Sequence, residues 1–288
     1  MTAIPLPTAR SRPVHWPRRI WRVVQIAIVV GYCLFPCYWM VVSSLRGPDA
    51  IFSNDLLPLN PSLVNFRGLF GSANNFGYAL RNSLIIASFT TVLALLIAMP
   101  TAYALARTRM RGKSVVLGLV LAGSMFPGIA LLTPLFQLFR DLGWINQYQA
   151  MVIPDISFAL PLAIYVLSSF FADMPWELED AAKVDGATAA QAFRKIIVPL
   201  AAPGVFTAAV IVFVSAWNEF LLANAFSIDL ASQPVTVAIA TFTGASEFQQ
   251  PYGTQMAAGV IVTIPLIIVV LAVQRRIVAG LTAGGLKG

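Results

Sequence analysis

The sequence predicts an all-α integral membrane protein with six transmembrane helices, and three observations carry that prediction. Of its 288 residues, 58% are hydrophobic and only 11% are charged, whereas a soluble domain runs near ~45–50% apolar and ~25% charged. A large core cannot explain the deficit, because a soluble protein of this size still needs a wetted polar skin. Six apolar stretches reach the ~20 residues with which a helix crosses ~30 Å of hydrocarbon. Alternating ten-residue strands are missing from the sequence, which argues against a closed barrel. Disorder, a coiled coil, collagen and a disulfide scaffold are excluded by the same composition.

The elements follow in order. Residues 1–22 form a basic tail with Arg10, Arg12, Arg18, Arg19 and Arg22 among Pro5, Pro7, Pro13 and Pro17. Without helical periodicity it reads as a disordered topogenic tail rather than a nucleic-acid arm. His15, the single histidine, lies there, so no histidine relay operates inside the membrane. Residues 23–273 form the transmembrane domain, with spans at 23–42, 83–106, 114–138, 150–172, 200–222 and 253–273. The first is too long for a cleaved signal peptide, and bulky Tyr38-Trp39-Met40 follows where small residues would stand. Cys33 and Cys37 share a face of that helix as apolar fillers, with no support for a metal or a disulfide. Prolines 36, 100, 127, 134, 154, 161 and 265 mark expected kinks. Residues 274–288 form a second tail.

Charge orients the spans, since Lys and Arg resist translocation. Fifteen of the 19 basic residues fall in the first tail, the second loop (Arg107, Arg109, Arg111, Lys113), the fourth loop (Lys183, Arg194, Lys195) and the last tail (Arg275, Arg276, Lys287). Both termini are therefore expected in the cytoplasm, with longer external segments at 43–81 and 223–252. The middles of the spans read as free of ionisable residues, Asp155 and Glu219 falling near outer helix ends. That disfavours a proton-driven transporter. Gly112-Lys113-Ser114 imitates the end of a phosphate loop, but Arg107 stands where its first glycine belongs and no strand precedes it. Zinc-protease pairs and nucleophile elbows are also missing from the sequence. An energy source must lie outside the chain.

The fourth loop, 173–199, differs from the rest. Five acids (Asp173, Glu177, Glu179, Asp180, Asp185) gather on the basic side of the membrane. Pro175 suits a first helical turn, and the acids complement the positive end of a helix dipole. Asp185-Gly186 breaks that helix, and Thr188 with Gln191 forms a capping box for a second one. Acids on an anionic leaflet would be repelled, so the loop reads as a docking knob for a partner protein.

From Asp180 through Ala181, Ala182 and Gly186 to Ile196 and Pro199, the loop resembles the signature of ABC importer permeases: E-A-A, three residues, G, nine residues, I-x-L-P. Asp180 replaces the first Glu and Val198 the Leu, with Glu179 able to share the acidic role. Residues 123–172, Ala216-Trp217-Asn218-Glu219-Phe220 and the ending at 280–288 look like carbohydrate-importer permeases of the MalG type. Residues 158–165, 241–244 and 274–280 are similar to actinobacterial trehalose importers.

That resemblance implies a type I ABC importer permease fold. It also implies a second, non-identical permease, two ATPase subunits and an extracytoplasmic sugar-binding protein, in the bacterial cytoplasmic membrane. This chain would be non-catalytic and bind no cofactor, ATP and Mg being used by the ATPase. Glu179, Asp180, Ala181, Ala182, Asp185, Gly186 and Ala187 would couple to the ATPase. The tail Leu281, Thr282, Ala283, Gly284, Gly285, Leu286, Lys287 and Gly288 would reach the ATPase dimer. Trp217, Asn218 and Glu219 offer sugar-binding chemistry near the outer end of span five, with helix packing and an interfacial anchor as the competing account. The alternative function is an ATPase-independent secondary transporter or channel for small polar solutes, which would need internal acid–base residues or pseudo-repeats.

Overall fold

The computed structural model describes residues 16–71, 76–108, 111–242 and 251–284, with side chains from 20 to 274. Among the described residues every regular element is helical. In order these are α1 (Trp16–Ser44), α2 (Val64–Leu69), α3 (Phe76–Arg107), α4 (Lys113–Ser124), α5 (Gly128–Asp141) and α6 (Tyr148–Ala172). Next come α7 (Glu177–Val184), α8 (Ala189–Leu200), α9 (Ala202–Trp217), α10 (Leu221–Phe226), α11 (Val235–Thr241) and α12 (Tyr252–Gly284).

Among the described residues four helices, α1, α3, α6 and α12, are each long and apolar enough to cross a membrane, and two bent helix pairs, α4–α5 and α8–α9, are so when each is taken as one span. The expected third span, 114–138, is divided into α4 and α5, which meet at 77°. Pro127 stands at the joint with extended backbone (φ −66°, ψ 116°). Pro36, Pro100, Pro134, Pro154, Pro161 and Pro265 lie inside continuous helices.

The expected fifth span, 200–222, shortens to α9, whose 16 residues extend ~24 Å at helical rise. Its neighbours' side chains end it. Asn218 Nδ2 donates to the Val214 carbonyl at 2.8 Å. The Glu219 carboxylate accepts the Leu222 and Ala223 amides, each at 2.8 Å, and so opens α10. Polar side chains that bond nearby backbone groups compete with helix continuation. At the other end of α9, α8 turns away by 76°.

Helix α3 is the centre of the bundle. Ser83, Ala87, Thr90, Ala94, Ala98 and Ala102 are all buried on it at three- and four-residue spacing, which places them on one face. Ala94, Ala98 and Ala102 belong to one cluster with Ala159 and Ala163 of α6 and Ala208 of α9. Lipid tails are as apolar as side chains, so membrane helices associate through close backbone approach, and small residues permit it. The outer flank is clad in exposed apolar side chains, such as Ile20, Val23, Ile26 and Leu34 on α1, a surface suited to acyl chains.

Gly204 brings α9 against α6. A Cβ built there would stand 2.4 Å from Phe170 Cγ, at the root of the ring. Gly204→Val is therefore expected to separate the two helices and lower stability by about 1–3 kcal/mol. Thermal unfolding in detergent checks this, and an unchanged midpoint would contradict the close approach.

Two polar seams mark opposite ends of the bundle. At one, Asn146 Oδ1 accepts the Ile228 and Asp229 amides at 2.6 and 3.0 Å. Asn82 Nδ2 donates to the Ala231 and Gln233 carbonyls, and Tyr148 donates to Asn82 Oδ1 at 2.8 Å. These bonds join segments that the charge pattern assigns to one side. At the other end Arg107 meets the loop after α6, again as alternating crossings require.

Candidate functional site

The loop after α6 is a helical hairpin whose turn is capped at both ends. Helix α7 carries Glu177, Glu179 and Asp180 in its first turn. It closes on Gly186, whose φ is +81°. The Gly186 amide donates to the Lys183 carbonyl at 3.0 Å and the Ala187 amide to the Ala182 carbonyl at 2.9 Å. This pair of bonds is a Schellman cap, which places glycine at the left-handed position. The expected capping box starts α8: the Gln191 amide donates to Thr188 Oγ1 at 3.3 Å, and the Thr188 amide to Gln191 Oε1 at 2.8 Å. A π turn at Phe193–Ile197 then adjusts the register before Pro199.

The residues assigned to the loop divide by direction. Asp180, Ala181, Asp185 and Gly186 are exposed, as are Lys183 and Val184, while Ala187 is half-buried. Glu179 and Ala182 turn inwards, at 5% and 3% exposure. Glu179 Oε1 lies 3.0 Å from Arg107 Nε at the end of α3, and both side chains are buried. The Nε–H is not aligned on that oxygen, so the contact is an ion pair rather than an aligned hydrogen bond. Arg107 also donates from Nη2 to the Pro175 carbonyl at 3.3 Å and lies over the Trp176 ring, 4.6 Å from its centroid. Tyr103, one turn earlier on α3, packs beside the loop, its ring centre 4.7 Å from that of Phe193. The loop is thus fastened to α3 by a buried charge, a stacked ring and a backbone acceptor. The outward Lys183–Asp180 pair, 3.4 Å apart, is by contrast solvent-exposed.

Gly112, next to the false phosphate loop, has φ +81° and opens α4 directly from a turn. No strand precedes it among the described residues, in agreement with the sequence reading.

Near the opposite end, a cavity of about 290 Å³ opens where the two chain breaks face each other. Ser124 and Phe126 reach it from the α4–α5 joint, Asp155 and Phe158 from α6, and Ser215 and Glu219 from the α9–α10 break. Broken helices lining a shared cavity are a common way for transport proteins to place polar groups within a membrane. The expectation that Asp155 lies in water near a helix end is corrected here. It stands two turns inside α6 and is only 6% exposed. The three candidate contact residues separate: Glu219 lines the cavity, whereas Asn218 is exposed and bonded back to its own helix. Trp217 is 1% exposed and stacked on Phe213, 5.6 Å between ring centres, within an apolar cluster.

Of the assigned tail, Leu281, Thr282, Ala283 and Gly284 continue the backbone of α12, and Gly285, Leu286, Lys287 and Gly288 lie outside the described residues. His15 and Arg109 lie outside them too. Arg107, Tyr103 and Asp155 are the site residues that sequence reasoning passed over. Only Asp155 carried a signal, as a carboxylate in an apolar span. Among the described residues, no group of three His, Cys, Asp or Glu side chains could hold a metal.

The model of the family described as binding-protein-dependent transport system inner membrane component matches residues 90–282. The trehalose transport system permease protein SugB of Mycobacterium tuberculosis is 47% identical, covering 93% of this chain and 97% of that one. The trehalose/maltose transport system permease protein MalG of Thermococcus litoralis is 40% identical, over 94% and 98% respectively. A sulfoquinovosyl glycerol permease, SmoH of Agrobacterium fabrum, is 39% identical over 93% of each chain. In fold, the chain is similar to one in the crystal structure of a bacterial ABC transporter involved in the import of the acidic polysaccharide alginate. The TM-score is 0.75 at 24% identity, over 92% of this chain and 99% of that one.

Proposed function

The chain belongs to the binding-protein-dependent transport system inner membrane component family, and from that membership we propose the assembly in which it works and the solute it carries. It is a sugar-transporting permease subunit of an ABC importer. Its solute is a di- or oligosaccharide of the trehalose or maltose kind, as the names of its relatives indicate. It pairs with a second, non-identical permease and receives the sugar from an external binding protein. Two ATPase subunits bind ATP and Mg and supply the energy. Both termini face the cytoplasm, following the basic residues.

The observation that carries the reading is the double-capped hairpin at 177–200, held to α3 by a buried ion pair within the family-matched region. Asp180, Ala181, Asp185 and Gly186 form its outward docking face, on which small residues admit a partner surface closely and acids set its register. Glu179, Ala182 and Ala187 hold that face to the chain. The tail at 281–288 supplies a further ATPase contact. Closure of the ATPase pushes the hairpin, and α3 and α6 carry the displacement to the cavity at their far ends.

The buried Asp155 removes one argument against a secondary transporter, namely the lack of an ionisable group within the spans. Family membership still favours the ATP-driven reading. The two readings separate in proteoliposomes holding the assembled complex and its binding protein. Trehalose uptake is expected to persist after a protonophore collapses the proton gradient and to stop when internal ATP is withdrawn. Uptake that follows the gradient and ignores ATP would overturn the proposal.

A further inference from the structure

The cavity between the helix breaks contains a buried group without a partner. Asp155 is 6% exposed, lines the cavity, and has no hydrogen-bond partner among the described residues. It is not among the side chains whose polar atoms are sealed from solvent, so its carboxyl opens onto the cavity, where the hydroxyls of a visiting solute can reach it. Glu219 lines the same cavity from the α9–α10 break, and its two backbone bonds fix its orientation. Both of its oxygens retain acceptor capacity, since an ionised carboxylate offers about four lone-pair sites.

We infer that Asp155 and Glu219, with the hydroxyls of Ser124 and Ser215, form a sugar-hydroxyl subsite belonging to this chain. The inference rests on the permease reading above and adds the residues that recognise the solute. Three features specify a polyol. The Glu219 carboxylate accepts charge-assisted hydrogen bonds from sugar hydroxyls, the strongest kind available to a neutral solute, and the Asp155 carboxyl adds two further oxygens for them to meet. The serines can donate or accept as each hydroxyl requires. Phe126 and Phe158 present rings to the same space, against which the C–H face of a pyranose packs. At about 290 Å³ the cavity lies just under the range of ligand sites, about 300–1,000 Å³, and suits one sugar ring rather than a long chain. A hard cation is a poorer occupant: Ca²⁺ takes ~6–8 oxygens, and no acidic trio is assembled among the described residues.

Asp155 is the specificity-determining member, because Glu219 also opens α10 while the Asp155 side chain makes no hydrogen bond among the described residues. The test uses the reconstituted complex with its ATPase and binding protein, trehalose as probe, and a panel of monodeoxy-trehaloses. Asp155→Ala is expected to lower uptake at subsaturating sugar about tenfold to a hundredfold. Asp155→Asn keeps an acceptor oxygen and falls between. It also preserves side-chain shape and keeps the test readable should Asp155→Ala fail to assemble. The wild-type complex is expected to discriminate against at least one deoxy analogue, and the Asp155 variants to lose that discrimination. A packing role alone would not produce this signature. Unchanged uptake and unchanged discrimination in an assembled Asp155 variant overturn the subsite while leaving the permease reading intact. A wild-type complex that hydrolyses ATP yet carries neither trehalose nor maltose overturns the sugar reading, and the subsite with it.

Discussion

Gly186→Pro is expected to reduce sugar uptake about a hundredfold while the chain still inserts and spans the membrane. The residue sits at φ +81°, and proline is confined to φ near −65°. The substitution also removes the amide that donates to the Lys183 carbonyl in the cap of α7. Together these cost about 3 kcal/mol or more, about two decades in the population of the native turn. The turn lies on the outward face, away from the α3–α6 core, so the loss falls on docking rather than on the bundle. Measuring ATP hydrolysis and uptake in the same proteoliposomes checks the expectation. Hydrolysis should lose its dependence on loaded binding protein as uptake falls. A variant with wild-type uptake would remove the hairpin from the coupling path. Gly186→Ala is expected to be milder, at about 1–2 kcal/mol for a left-handed non-glycine residue.

The second large effect concerns the Arg107–Glu179 pair. Removing one partner of a buried ion pair leaves the other charge uncompensated, at about 3–5 kcal/mol. Arg107→Ala should therefore lower the thermal midpoint in detergent sharply and uncouple hydrolysis from uptake. Replacing both partners with apolar residues of similar volume, Arg107→Met with Glu179→Leu, is expected to restore most of the stability. If the double variant is as unstable as the two single losses combined, the pair is not the fastening. Lys183→Ala, which breaks the exposed pair with Asp180, should change stability by less than about 1 kcal/mol.

Local features carried over well from sequence to structure, and non-local ones did not. The capping box at Thr188 and Gln191 and the glycine break at Gly186 are readable because each is made by residues at most five apart. Span number was also within reach, since hydropathy reports length. Proline at 127 and proline at 100 look alike in sequence, yet α3 runs through one and the chain bends 77° at the other. The neighbours that repair a freed carbonyl, or fail to, come from elsewhere in the fold. Arg107 was counted among the basic residues that set sidedness. Its pairing with Glu179 spans 72 positions and leaves no local mark. Glu179 stands with its acidic neighbours in the sequence, but one residue of helical rotation from Asp180 turns it into the protein. Asp155 stands close to one end of an apolar stretch in the sequence, which gives no sign of its surroundings. Its burial arises where α6 meets the two breaks.

The burial of Arg107 and Glu179 has a consequence for how the protein meets changes in ionic strength. Mobile ions screen exposed charges over about 8 Å at physiological salt, but they do not enter a contact whose side chains are 3% and 6% exposed. The fastening between α3 and the hairpin therefore holds its strength at low and high ionic strength alike. Asp180 and Asp185, on the open face, have no such shelter. On the proposed reading of the open face as the ATPase contact, rising salt would loosen the grip between subunits before the lever inside this one.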